Sequence, residues 1–312
     1  MSNDKTRANF IGGKRFEVEH ALGMYAYSYV NLPAAAIYDA SALQAFAETV
    51  ETCHIYFIGY LPSVSILNSE QSGRTVSIQL SYLDERRSIS WDFPEGAQLR
   101  KADEYWFVED RNGQRYAPTG DQILTRLGQQ HAPLEFDVKY IGQSYGRDGA
   151  RSALDRLLSH ETLQKIALRQ APAGHHIALV LVAVQPSNQL LTVFNPHAES
   201  RDHDGSRVRA GIDKLFGTSE RERVALYEAA MIRYFEPEFN IEFKGSFPST
   251  RLKILQDCYD KDFSAVIAEF CFDDVPFVLR SEKVAGSRYH VANYSLHSEE
   301  NRRAFFFAST NR

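Results

Sequence analysis

The sequence predicts an α+β fold: a β-rich N-terminal region, followed by a small sheet flanked by helices. Two observations carry this expectation. Several short runs before residue 117 alternate apolar and polar residues with the period of a strand. After Pro133, strand-like runs are instead interleaved with helical ones. With 44% apolar and 24% charged residues the composition is that of a globular protein, and 312 residues are enough for two domains.

Taken in order, a helix is expected over Ala40 to Val50. His54 to Leu61 is an apolar and aromatic run ending at Pro62, suited to a buried strand. Thr75 to Leu83 places Val76, Ile78, Leu80 and Tyr82 on one face. After the charged turn Asp84 to Arg87, Ser88 to Phe93 places Ile89, Trp91 and Phe93 together, giving a hairpin with one wet and one dry face. A second hairpin spans Tyr105 to Tyr116 and turns at Asn112-Gly113. A polar helix, Gly120 to Gln130, then leads to a boundary at Pro133.

Beyond it, Leu134 to Ile141 reads as a strand broken at Gly142, and Ser152 to His160 as a short helix with Leu154, Leu157 and Leu158 as its stripe. Glu161 to Arg169 continues as a second helix. Ile177 to Val184 is a buried strand, with Leu190 to Phe194 as its expected hairpin partner. Pro196 to Gly217 reads as a long polar loop holding a short helix, and Glu220 to Phe235 as a helix stopped by Pro237. Strands are expected again over 263–272, 276–280 and 288–296. The resulting division is 1–130, 131–248 and 249–312, the last a β-rich extension.

Several function classes are disfavoured. Met1 to Phe10 lacks the apolar core of a signal peptide, and the longest apolar run is strand length, so no membrane association and a cytoplasmic location are expected. Cys53, Cys258 and Cys271 form no C-x-x-C pair, which argues against a thiolate zinc site. The net charge of −5 argues against a protein that coats DNA nonspecifically. Gly142, Gly146 and Gly149 precede a helix without the Lys-Ser or Lys-Thr of a phosphate loop. His197, Asp202, His203 and Asp204 have metal-ligand chemistry but fall in a polar loop.

One constellation stands out. Tyr140-Ile141-Gly142 ends a strand, and Arg156 and His160 follow four residues apart, a spacing that puts both on one helix face. Glu228 lies within a helix among Ala225, Leu226, Ala229 and Ile232, where a carboxylate is costly without a cation or donor. Asn240 follows just past Pro237. Each has a structural explanation taken singly: a strand-capping tyrosine, a solvated helix face, an ion pair from Glu228 to Arg223 or Arg233, a turn asparagine.

In this order and spacing, residues 134–244 resemble the GIY-YIG nuclease superfamily, in its restriction and excision-repair branches. The resemblance implies a metal-dependent DNA endonuclease. Glu228 would hold one Mg2+ or Mn2+ ion, and Arg156 would stabilise charge on the scissile phosphate. Tyr140 would hydrogen-bond to, or help deprotonate, the attacking water. His160 would be an auxiliary acid, base or phosphate contact, and Asn240 would orient the site. The departure is the first tyrosine motif: no G-I-Y tripeptide precedes Tyr140, whose strand carries Phe136 and Val138. Tyr116 or Tyr105 could supply the missing hydroxyl from an earlier strand, though neither has the flanking pattern. If an apolar side chain fills that place, the implied alternative is an inactive domain of the same fold that binds nucleic acid or a protein. In the endonuclease reading the N-terminal region would choose the target or control access; target sequence, DNA versus RNA and oligomeric state are left open.

Overall fold

The computed structural model describes residues 14–102, 105–146, 153–248, 252–298 and 302. The fold is α+β, built on a curled mixed sheet with helices on both faces. Among the described residues no helix is long and apolar enough to cross a membrane.

The main sheet contains β1 (Val18–Pro33), β2 (Ile55–Pro62), β9 (Leu134–Gln143), β10 (His175–Val184), β11 (Gln189–Phe194), β12 (Ala265–Cys271), β13 (Phe277–Arg280) and β14 (Tyr289–Ser295). Its order is β13-β9-β2-β10-β1-β12-β14, with β11 also paired to β1. Strands from all three sequence segments hydrogen-bond together, so the boundaries at 130/131 and 248/249 do not separate independent sheets. β2 is buried along its whole length between β9 and β10, which explains its uninterrupted apolar run.

Residues 63–133 are inserted between β2 and β9, two neighbouring antiparallel strands. This insertion makes two three-stranded sheets, β3 (Val64–Ser72), β4 (Thr75–Tyr82) and β5 (Glu85–Asp92), then β6 (Gln98–Ala102), β7 (Tyr105–Glu109) and β8 (Arg115–Tyr116). The turn between β4 and β5 is shorter than expected, since Glu85 already pairs with Tyr82. The helices are α1 (Ala40–Gln44), α2 (Ala47–Thr52), α3 (Gly120–Gln130), α4 (Ala153–Leu157), α5 (Glu161–Leu168), α6 (Ser206–Gly217), α7 (Glu220–Phe235) and α8 (Lys253–Asp260).

Several expectations are corrected. The helix over 40–50 is two short ones. β11 does not fold back on β10; both lie along one edge of the 16-residue β1, which is long enough to pair with each in turn. The polar segment before Gly217 holds a full 12-residue helix, α6, where Asp202 accepts from the backbone N–H groups of Arg207 (3.2 Å) and Val208 (3.2 Å). Asp202 is thus a helix-capping group. Among the described residues no three His, Cys, Asp or Glu converge on a metal position.

α7 is held by a capping box between Ser219 and Glu222, and it ends where Glu236 adopts φ 47° before Pro237. Small Ala229 and Ala230 allow it to lie close on the sheet, and Tyr227 donates to the Glu269 carbonyl of β12 at 3.0 Å.

Two cores flank the sheet. Ile55, Phe57 and Leu61 of β2 face the core under α3, α7 and α8, while Tyr56, Ile58 and Tyr60 face the other, under α2, α4 and α5. β9 does not keep a single alternation. Phe136 and Val138 share the first core, but Ile58 pairs with Tyr140 and Gly59 with Val138, leaving Lys139 as an extra residue. This bulge reverses the phase of the strand, so that Ile141 faces the first core and Tyr140 the second. Tyr140 therefore lies on the face that carries Tyr56.

The glycine after Ile141 follows from the same pairing. A Cβ on Gly142 would lie 2.5 Å from the Tyr56 hydroxyl and 2.8 Å from the Tyr140 ring. Gly142→Ala is expected to cost about 1–3 kcal/mol by overpacking, read from urea unfolding; unchanged stability would contradict so close an approach.

Candidate functional site

Three rings meet where β2 and β9 pair. The Tyr56 and Tyr140 centroids are 6.2 Å apart, and the His160 ring lies 5.4 Å from the first and 5.2 Å from the second. Tyr56 is 1% exposed and belongs to the core, whereas Tyr140 is half-buried. His160 is not on the helix of Arg156, as spacing suggested. α4 ends at Leu157, and His160 is the residue that caps the N-terminus of α5.

Its two nitrogens define a direction. The Leu163 N–H donates to His160 Nδ1 at 3.2 Å, so Nδ1 bears no proton in the neutral ring. The ring proton is therefore on Nε2, which donates to the Tyr56 hydroxyl oxygen at 2.9 Å. Burial and the Arg156 charge pull the His160 pKa down to about 4, so the ring is neutral at physiological pH. With both nitrogens engaged and 4% exposure, His160 positions Tyr56 and offers no free nitrogen to a substrate.

Arg156, itself exposed, also donates to the Tyr56 oxygen. That oxygen then has two donors, and its single proton goes to the Tyr140 hydroxyl, which also receives one from Thr162. The chain of donors runs from His160 through Tyr56 to Tyr140, whose own O–H is left at its outer end. Desolvation, with the Glu228 charge contributing, holds both phenols above their usual pKa. Neither tyrosine ionises near neutral pH, so each acts as a hydrogen-bonding group.

Glu228, on α7, is near enough for its charge to act on both tyrosines. Its carboxyl accepts from the side chain and the backbone N–H of Gln143, the residue that ends β9. Among the described residues no Lys or Arg is ion-paired with Glu228. The two arginines that would give a structural explanation are used elsewhere: Arg223 donates to the Thr218 carbonyl at 2.7 Å, and Arg233 to Glu236 at 2.6 Å. Desolvation, with the Glu242 carboxylate adding to it and Gln143 opposing, pushes the Glu228 pKa up to about 8. A half-buried carboxyl that lacks a counter-ion fits a divalent cation held by one carboxylate and otherwise by water.

Asn240 acts on the backbone. Its side chain accepts from the Ile141 N–H at 2.9 Å and donates to the Ile141 carbonyl at 2.8 Å, as a neighbouring strand would. The Phe239 N–H donates to the carbonyl of the bulged Lys139 at 3.0 Å. β13 pairs with β9 only over Leu134 to Asp137, so this loop supplies the edge partner that the rest of the strand needs. Glu238 secures it through Arg169 and Lys139.

The five residues singled out from the sequence are thus brought together, and four others were missed: Tyr56, Gln143, Thr162 and Glu242. Tyr105 and Tyr116, expected to supply the second hydroxyl, lie on the β6-β7-β8 sheet of the insertion and are exposed. The available signal for Tyr56 was a tyrosine after isoleucine on a wholly buried strand, hidden by the inserted residues 63–133. Arg147, Asp148, Gly149 and Arg151 lie outside the described residues. Comparison with protein-family models, with curated proteins and with solved structures found no match in any of the three.

The Glu228 carboxyl has a pH signature. Folded, it keeps its proton up to about pH 8; unfolded, it loses it near its usual pKa of 4.5. The folded state binds the extra proton between these values, so the term stabilises at low pH and fades as pH rises toward 8. His160 has the opposite sign, since its folded pKa is depressed, but it titrates below pH 6.5. Between pH 6.5 and 8.5 the wild type is expected to lose stability relative to Glu228→Gln in thermal unfolding, and added Mg2+ to reverse the loss. Parallel pH curves for the two proteins would contradict the assignment.

Proposed function

We propose that the chain is a metal-dependent endonuclease that hydrolyses DNA phosphodiester bonds, with a site of the GIY-YIG type. The observation that supports this best is the position of Tyr56. A second tyrosine hydroxyl sits beside Tyr140 and Arg156, within electrostatic reach of Glu228, on the strand paired antiparallel to the one that ends in Tyr-Ile-Gly. The order Ile55-Tyr56 supplies two of the three residues of the first motif, with His54 where the family pattern has glycine. A hydroxyl-bearing ring at this place favours the active reading over the inactive alternative, which calls for an apolar side chain there.

In this reading the residues divide their work. Arg156 presents a cation to the phosphate and fixes the Tyr56 oxygen, so charge that develops on the phosphorane meets a preplaced donor. Tyr140 directs its remaining O–H at a water or a phosphate oxygen, oriented by the donors behind it. His160 and Asn240 hold the two tyrosines in register through ring and backbone contacts. Glu228, oriented by Gln143, would hold Mg2+ or Mn2+, which supplies charge compensation at the phosphate when bound. The water oxygen bonds to phosphorus as the bond to the leaving oxygen breaks; the proton the water loses goes to solvent, and the leaving oxygen takes one back from solvent. The net charge of −5 suits a local site rather than a DNA-coating surface.

Supercoiled plasmid incubated with Mg2+ or Mn2+ tests this. The wild type is expected to nick or linearise it, and Glu228→Gln to lose at least a hundredfold in rate, the order seen when one electrostatic group of a catalytic site is removed. Cleavage by neither protein, on plasmid or single-stranded DNA, overturns the proposal; equal cleavage by both overturns the role of Glu228.

A further inference from the structure

The two tryptophans of the chain, Trp91 and Trp106, line one cavity of about 790 Å3, a size typical of small-molecule sites. It lies between the two small sheets of the insertion and α3, with Tyr29 of β1 on the main-sheet side. It shares no residue with the tyrosine site. Phe93, Phe107 and Tyr116 complete aromatic walls that also present polar groups, among them Gln122 and Thr125.

One polar group points to a missing occupant. Ser69 is 4% exposed, yet its hydroxyl has no hydrogen-bond partner among the described residues. A buried hydroxyl left unpaired costs free energy that a ligand bonded to it would recover. The charges around the cavity are two and two, Arg115 and Arg126 against Asp121 and Asp274. The arginines sit over aromatic rings, Arg115 at 4.7 Å from the Phe107 centroid and Arg126 at 5.9 Å from that of Trp91. Flat aromatic walls, scattered hydrogen-bonding groups and balanced charge with guanidiniums against the rings suit a planar heteroaromatic that carries at most a modest negative charge.

We propose that this cavity binds one unpaired nucleotide of a nucleic acid, its base against Trp91 and Trp106 and hydrogen-bonded by Ser69 once the Ser69 hydroxyl turns from the wall into the cavity. Choosing a nucleotide over other planar heteroaromatics rests on the nuclease reading; the cavity and the unpaired hydroxyl do not. The base must leave its stack to enter, so the insertion reads single-stranded or extruded positions; Arg115, ion-paired with Glu109, and Arg126, bonded to the Ser90 carbonyl, are the cations that line the cavity beside the adjoining phosphates. In this way a module inserted between the two tyrosine strands selects where the site acts.

Because both tryptophans line the cavity, their emission reports on it directly. The full-length Glu228→Gln protein is titrated with a mixed-sequence single-stranded oligonucleotide and, separately, with 5′-mononucleotides. A saturable emission change with the oligonucleotide is expected. Ser69→Ala should raise the half-saturating concentration about tenfold, the effect of losing one hydrogen bond, while leaving thermal stability equal or higher, since no partner is orphaned. Saturation by mononucleotides as well, at similar concentrations, assigns a free nucleotide as the occupant of the same site. No emission change with either ligand, an unchanged titration in Ser69→Ala, or a less stable Ser69→Ala overturns the proposal. The two readings fail separately: plasmid cleavage without an emission change leaves the nuclease standing and removes the cavity's role, and an emission change without cleavage does the reverse.

Discussion

The antiparallel pairing of β2 with β9, bulged at Lys139, is the constraint on which the site depends. Without the extra residue, Tyr140 would share a face with Phe136 and Val138 and point into the core under α7. With it, Tyr140 joins Tyr56 on the opposite face, and Gly142 leaves the space both rings require. The bulge would be weak alone, because it interrupts the ladder. Its carbonyl is bonded by Phe239, and the next residues are held by the Asn240 side chain, so the loop after α7 completes the strand. The helix that carries Glu228 and the loop that fixes the tyrosines are therefore one continuous segment, and the carboxylate and the phenols cannot be placed independently.

Electrostatics then assigns different work to groups that look alike in a sequence. His160 has the reputation of a proton carrier, but here burial and Arg156 keep it neutral and both nitrogens are used. The two phenols are held protonated, and the carboxyl of Glu228 is the group nearest to a change of state at physiological pH. Among the described residues no Lys or Arg is ion-paired with it, and in the proposed function a divalent cation would be its complement. What distinguishes the site is the contrast between a hydrogen-bonded tyrosine pair and an acid that Gln143 orients but, among the described residues, no Lys or Arg neutralises.

Much of this was legible in the sequence. The α+β character, the buried strand at β2 and the helix that ends before Pro237 follow from periodicity and stop signals, while Tyr140, Arg156, His160, Glu228 and Asn240 stand out through the order and spacing that carry the family resemblance. Tyr56 did not, because its partner strand lies beyond a 63–133 insertion and strand pairing leaves no local mark. The tyrosines nearer in sequence, Tyr105 and Tyr116, belong to a different sheet. Arg156 and His160 were placed on one helix by their spacing; the helix breaks between them, and the histidine became a cap instead. β11 was assigned to a hairpin with β10 because the usual partner of a strand is its neighbour, whereas β1 is long enough to take both. Contacts made across long sequence separations account for each difference.

The central claim is that Tyr56 and Tyr140 act as one unit, and a double-mutant cycle on DNA cleavage addresses it most directly. Tyr56→Phe and Tyr140→Phe keep the rings and remove the hydroxyls. If the hydroxyls form one directed chain, the double variant will cleave at about the rate of the slower single variant, since either deletion already breaks the chain. Rate losses that multiply would show two independent groups and contradict the account.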